Sequence, residues 1–309
     1  MGKPPEIDWV DEHLEEDGGF PRADWRAIGE RIAATLPGSR RHEAWDAAAQ
    51  LWLHRTAECF DPPFRVLKSR NFLLLATPLE GEEETLLRFL EHALATILAR
   101  LPGIASDEGY GRHAVLVFPS EDDYYEYVDW FHPPGGSYPF TGGMCLRGGY
   151  THFALPWESL EGAERTTAHE LTHDCLSHLP LPQWIDEGIA CVVEGIATGG
   201  SARTLSILEL RDQRAYWNQT TLQLFWSGAS FHRPIDGFDL GYTLGYLLVK
   251  ALSHDFGRFR SFVLRARAED AGESALREVF GGSLGSVVVP ILGPGDWAPR
   301  PGTWERLRG

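Results

Sequence analysis

Two prolines in four residues, in Leu179-Pro180-Leu181-Pro182, constrain this chain more than any other feature. Apolar residues recur at helical spacing on both sides, from about Ser159 to Ser177 and from about Gln183 to Gly195. A proline ring gives a helix no N–H and clashes with the carbonyl one turn back, so one helix must end here and another begin. The break lets the chain reverse, and the first turns of the second helix can then return to the residues of the first.

The rest of the pattern is mixed. After a charged stretch over residues 1 to 22, Ala23 to Leu36 and His42 to Phe60 carry helical spacing, closed by Pro37-Gly38 and Pro62-Pro63. From Phe64 the segments FRVLKSR and NFLLLATPL read as strands, followed by a helix from about Glu82 to Leu101 and a third strand from His113 to Phe118. A short aromatic helix around Asp122 to Trp130 precedes an irregular Gly- and Pro-rich loop, FHPPGGSYPFTGG. MCLRGGYTHFAL then reads as a hairpin or edge strand, turning at Gly148-Gly149. Beyond the proline break helical spacing dominates, at Leu205 to Phe225, Gly241 to Phe256, Phe259 to Ala268 and Glu273 to Phe280, and SVVVPIL is the longest strand-like run. The expectation is an α+β fold: a mixed sheet with helices and a mainly helical C-terminal half. Its expected parts are a helical extension over 1–63, a sheet-containing part over 64–180 and a helical part over 181–309.

Composition excludes several partners. Acidic residues outnumber basic ones 44 to 28, a formal charge of -16 that repels phosphate backbones and anionic lipid headgroups, so no nucleic acid is expected. No run of about 18 apolar residues offers a membrane span, and the acidic N-terminus is unlike a secretory signal, so the expected location is the cytoplasm. Cys59, Cys145, Cys175 and Cys191 have no paired spacing and read as reduced, mostly buried thiols. The sequence leaves the oligomeric state open.

Within the first of the two proline-separated helices stands His169-Glu170-Leu171-Thr172-His173, an HExxH pattern. Residues four apart on a helix share a face, their stems about 5 to 6 Å apart, so both imidazoles can bind one cation. Zinc takes neutral imidazole nitrogen readily and tolerates tetrahedral sites with one open position, beside which Glu170 can reach a water. About one chain in 25 to 30 of this composition carries such a pattern by accident, so its surroundings decide its meaning. Fourteen positions after His173, Glu187 in Trp184-Ile185-Asp186-Glu187-Gly188-Ile189-Ala190 supplies a carboxylate on the second helix. The bland alternative for Glu187 is a first-turn carboxylate favoured by the helix dipole, with Asp186 beside it. A three-His pattern, HExxHxxGxxH, fails: Leu176 stands where Gly is needed, Leu179 where His is needed, and His178 is off-register.

HELTH at 169–173 followed by WIDEGIA at 184–190 resembles the zinc metallopeptidases of the gluzincin type, specifically the peptidase MA-like proteins of bacteria, which carry HExxH and then W-x-x-E-G-x-A. The resemblance extends from about Phe64 to about Ile291. It implies a zincin-like fold, Zn2+ held by His169, His173 and Glu187, and Glu170 as the general base of peptide-bond hydrolysis by a metal-activated water. It also implies a peptide or protein substrate aligned along an edge strand near Tyr150 to Leu155. The spacing from His173 to Glu187 is shorter than in the thermolysin-like and aminopeptidase branches, and Cys191 stands where the thermolysin pattern places a supporting Asp, so Glu194 and Asp174 become the candidates for that supporting role.

Such peptidases often take a donor to the developing oxyanion from the downstream helical half. Tyr242 and Tyr246 lie one turn apart, Tyr242 nearer the start of its helix, and His232 is a second candidate; the alternative is that both tyrosines pack in the core. Tyr124, Tyr125, Tyr127, Trp130 and Phe131 read as core aromatics, and Cys145 as a structural thiol. The rival to a peptidase is a zincin-fold binding or regulatory protein that keeps the metal site with little turnover.

Overall fold

The computed structural model describes residues 7–16, 19–61, 64–77, 79, 81–131, 142–200, 205–232 and 237–307. Pro62-Pro63 and most of the expected Gly- and Pro-rich loop, 132–141, lie outside the described residues. The chain folds as two compact units, residues 1–95 with 107–171 and residues 96–106 with 172–309. The boundaries expected at residues 63 and 180 are therefore not where the chain divides, for a reason visible in the first unit's core.

In the first unit a short antiparallel pair, β1 (Leu14–Glu16) and β2 (Pro21–Ala23), leads into α1 (Trp25–Thr35) and α2 (Gly38–Ala57). There follow β3 (Arg65–Lys68), β4 (Phe72–Ala76), α3 (Glu83–Arg100), β5 (His113–Phe118), α4 (Glu121–Phe131), β6 (Met144–Leu146), β7 (His152–Pro156) and α5 (Leu160–Leu176). The unit division crosses α3 and α5. Among the described residues the sheet has the order β3-β4-β5-β7-β6, parallel at β4–β5 and β5–β7 and antiparallel at both outer pairs. It is thus the mixed sheet expected.

The edge, however, is β6. The run near Tyr150 to Leu155, expected at the edge, contributes β7, which is paired on both sides and buried at all five positions. Strands covered on both faces read as continuous apolar runs, and such a run does not say whether a neighbour lies on each side.

One face of the sheet, with Leu73, Leu75, Ala114, Leu116, Phe118 and Ala154, shares a single core with Ala49, Trp52, Leu53 and Ala57 of α2 and Tyr124, Tyr127 and Val128 of α4. Residues 1–63 are consequently no separate extension: α2 is a wall of the sheet's own core. At roughly 1.5–3 kcal/mol for each large side chain fully buried, removing it would expose a substantial part of what holds the sheet.

The second unit is helical: α6 (Gln183–Ala197), α7 (Ile207–Tyr216), α8 (Thr221–Trp226), α9 (Phe238–Leu252), α10 (Phe256–Val263), α11 (Glu273–Phe280) and α12 (Leu284–Leu292). The continuous helix expected from Leu205 to Phe225 is broken, because the Asn218 side chain accepts from the N–H groups of Thr220 (2.8 Å) and Thr221 (3.1 Å) and starts a new helix. SVVVPIL is helical. Its start is set by a capping box between Ser283 and Ser286, and Leu284, Val288 and Leu292 bury one stripe. Among the described residues no single helix is long and apolar enough to cross a membrane.

Candidate metal centre

The second half of the signature is explained by packing within the helical unit. Trp184 is fully buried, donates from Nε1 to the Ala271 carbonyl at 3.0 Å, and sits among the rings of Phe225, Trp226 and Phe262. Gly188 faces α9 so closely that a Cβ there would lie 2.5 Å from the Gly245 carbonyl oxygen, and Ala190 is fully buried. The Trp, Gly and Ala of WIDEGIA thus fix the rotation of α6. Between them, that rotation buries Glu187, which is 5% exposed.

A buried carboxylate requires partners. Gln183 Nε2 donates to Glu187 Oε1 at 2.7 Å, and His173 Nε2 stands 3.2 Å from Glu187 Oε2. On the opposite side of the same ring, His173 Nδ1 lies 3.0 Å from Asp186 Oδ2. Burial opposes a charge on this imidazole, but the two carboxylates outweigh it and push its pKa up to about 10. Without a metal, His173 is therefore a cation at neutral pH, with Nε2 facing Glu187 and Nδ1 close to Asp186.

His169 lies one turn earlier on α5. His169, His173 and Glu187 each offer a ligand atom, and these atoms all lie within 4.8 Å of one another. Two ligands about 2.0–2.2 Å from a tetrahedral zinc are separated by about 3.4 Å, close to the 3.2 Å between His173 Nε2 and Glu187 Oε2. Metal-binding histidines commonly have a carboxylate beside the second ring nitrogen, and Asp186 stands in that place beside His173 Nδ1. The donor set thus fits a metal ion, which would take the place of the Nε2 proton.

His169 also belongs to a second group, with Cys191 and Glu194. Glu194, one of the two residues expected in a supporting role, therefore lies beside a candidate ligand, together with the Cys191 that replaces the anticipated Asp. Sequence reasoning missed two members of the site. Asp186 enters the sequence reading only as a first-turn carboxylate beside Glu187, yet it stands on the far side of the His173 ring, and Gln183 does not enter it at all. The signal for both was the helix start: the first turn of α6 presents Gln183, Asp186 and Glu187 to whatever the proline break brings near.

Glu170, next to His169, is held from β6: the Cys145 N–H donates to Glu170 Oε2 at 3.2 Å. Cys145 is paired opposite Phe153, and since its N–H goes to Glu170 it projects from the outer edge of the sheet. The approach of β6 to α5 depends on Gly143, where a Cβ would stand 2.4 Å from Thr166 Cγ2.

Tyr242 is half-buried near the start of α9, edge-on to Phe231 at 5.3 Å, while Tyr246 is buried with the Lys250 ammonium 5.4 Å from its ring centre. His232 is exposed. All four cysteines are outside any disulfide, as expected of reduced thiols, but only Cys175 is buried; Cys59 is exposed, against the expectation of mostly buried thiols. No family model matches the chain, and no curated protein matches it.

Proposed function

We propose that this chain is a zinc-dependent peptidase with a zincin-like fold. The observation that carries the reading is the setting of His173, whose ring is clamped between Asp186 and Glu187 with His169 one turn away on the same helix. His169, His173 and Glu187 would hold the zinc, which supplies a Lewis acid that makes water nucleophilic at neutral pH. Asp186 fixes the His173 ring and Gln183 fixes the Glu187 carboxylate, so the ligand atoms are ordered before an ion arrives.

Glu170 does the proton work. Its carboxylate takes a proton as the water oxygen bonds to the peptide carbonyl carbon, and delivers that proton to the amide nitrogen as the C–N bond breaks. The Cys145 N–H limits where this carboxylate can turn. Tyr242 is the proposed donor to the developing oxyanion.

The test is zinc content and cleavage of a mixed peptide library, compared between wild type and Glu170→Gln. Both proteins should hold one zinc, and the variant should lose at least about 100-fold in cleavage rate. Equal cleavage would remove Glu170 from the mechanism. Stoichiometric zinc with no cleavage of any peptide by wild type would instead make the chain a metal-holding binding protein.

A further inference from the structure

Within the sheet unit, a cavity of about 350 Å³ opens beside β6, bounded by Cys145, Leu146, Arg147 and Gly148 of the strand and its turn. The rest of its lining is mostly aromatic, Trp25, Trp52, Tyr127, Trp130 and Phe131, with the Pro21–Ala23 strand beside them. The three α4 aromatics were expected in the core. Tyr127 is fully buried, but together with Trp130 and Phe131 it also faces this space.

The polar ends of two wall residues are already committed inside the protein. Trp52 Nε1 donates to the Pro21 carbonyl at 3.2 Å, and the Tyr127 hydroxyl lies 2.8 Å from His152 Nε2. His152 Nδ1 is 2.8 Å from the Tyr150 carbonyl, which can only accept. His152 therefore carries its proton on Nδ1, and the tyrosine donates to Nε2. These rings offer the cavity their apolar surface, at a volume within the range of small-ligand pockets.

A cationic guest is disfavoured, because the Arg22 guanidinium already lies 4.8 Å from the Trp130 ring centre and both Arg22 and Arg147 line the cavity. An aromatic guest suits these walls, since neighbouring rings gain from edge-on and offset contacts beyond the area they bury.

An extended peptide adding to the outer side of β6 would point alternate side chains to the two faces of the sheet. Side chains in step with Leu146 point to the face shared with α2 and α4, where Leu146 lines the cavity. The neighbouring strand residue, Cys145, is the one whose N–H holds Glu170. We propose that this cavity is a specificity pocket for an aromatic side chain of the peptide substrate, at a fixed position on one side of the bond that is cut. The inference rests on the peptidase reading, and the experiment separates the two.

Cleavage sites in a peptide library are mapped for wild type, Trp130→Ala and Gly148→Val, each checked for an unchanged far-ultraviolet spectrum. Gly148 and Phe131 both line the cavity and a Cβ at Gly148 would stand 3.1 Å from Phe131 Cζ, so valine narrows it, whereas alanine at Trp130 removes a wall. Wild type should favour Phe, Tyr or Trp at one position, and both variants should lower the ratio of kcat/KM for aromatic over alanine peptides at least 10-fold. Cleavage with no aromatic preference, or with a preference that neither variant moves, overturns the pocket and leaves the peptidase standing. If wild type cleaves nothing, binding of N-acetyl-phenylalaninamide is followed by saturation-transfer NMR. Binding that Trp130→Ala abolishes keeps the pocket while the peptidase reading falls; no binding overturns both.

Discussion

His152 of the sheet unit, fully enclosed, and His173 of the helical unit, nearly so, each have an oxygen within 3.2 Å of both ring nitrogens, and their surroundings drive them in opposite directions. His152 meets neutral partners, the Tyr127 hydroxyl and the Tyr150 carbonyl, and burial takes its pKa down to about 4 despite the carbonyl's support. His173 meets Asp186 and Glu187, and their charges override burial and take it up to about 10. The partners' charge, more than depth, separates a core histidine from a seat for a cation.

The largest effect that can break this contrast is pH. Below about pH 10 a proton occupies the His173 position that an incoming ion needs, so zinc affinity should rise close to 10-fold per pH unit, about 1000-fold between pH 6 and 9. Titration with chelator-buffered zinc measures it, and a flat profile would mean that His173 carries no proton to displace. In the metal-free protein the raised His173 pKa gives stability that is complete below pH 6.5 and lost as pH rises through about 10. The lowered His152 pKa gives stability that is present above pH 6.5 and lost as pH falls through about 4. Denaturant midpoints should therefore fall on both sides of neutrality, and added zinc should remove the alkaline fall alone.

Next in size is the charge of the partners. Glu187→Gln keeps the shape of the side chain but replaces a ligand, and zinc affinity should fall by more than about 100-fold, beyond what an outer partner is worth. Asp186→Asn, which only weakens the hold on the far side of the ring, should cost about 10-fold. Competition with a chelator measures both. Equal losses would make Asp186 a ligand in its own right.

Much of this was legible from spacing. Strand β5 and α11 have the bounds expected, and the proline break places α5 and α6 as the pattern required. What spacing could not supply was the identity of neighbours across the fold. Whether a buried run such as His152–Pro156 is an edge depends on the three residues of β6, too short to announce themselves. The clamp on His173 was half legible: Glu187 was marked by its signature, but Asp186 and Gln183 only by their place in the first turn of α6. His152 carried no signal, because nothing in Tyr150-Thr151-His152 says that a tyrosine from α4 will reach its ring.

That reach makes the smallest effect the cleanest check on the neutral half of the comparison. His152→Leu fills most of the volume but leaves the Tyr127 hydroxyl and the Tyr150 carbonyl without the ring they bond, and stranding buried polar groups costs about 1–3 kcal/mol. Urea unfolding should show that loss together with a weaker acid sensitivity, while zinc affinity stays at the wild-type value. Tyr127→Phe in the same chain removes one of the stranded groups, so the double variant should be more stable than the two single losses added together. If the losses simply add, the contact between Tyr127 and His152 contributes by packing alone, and the neutrality of His152 follows from its depth without help from the tyrosine.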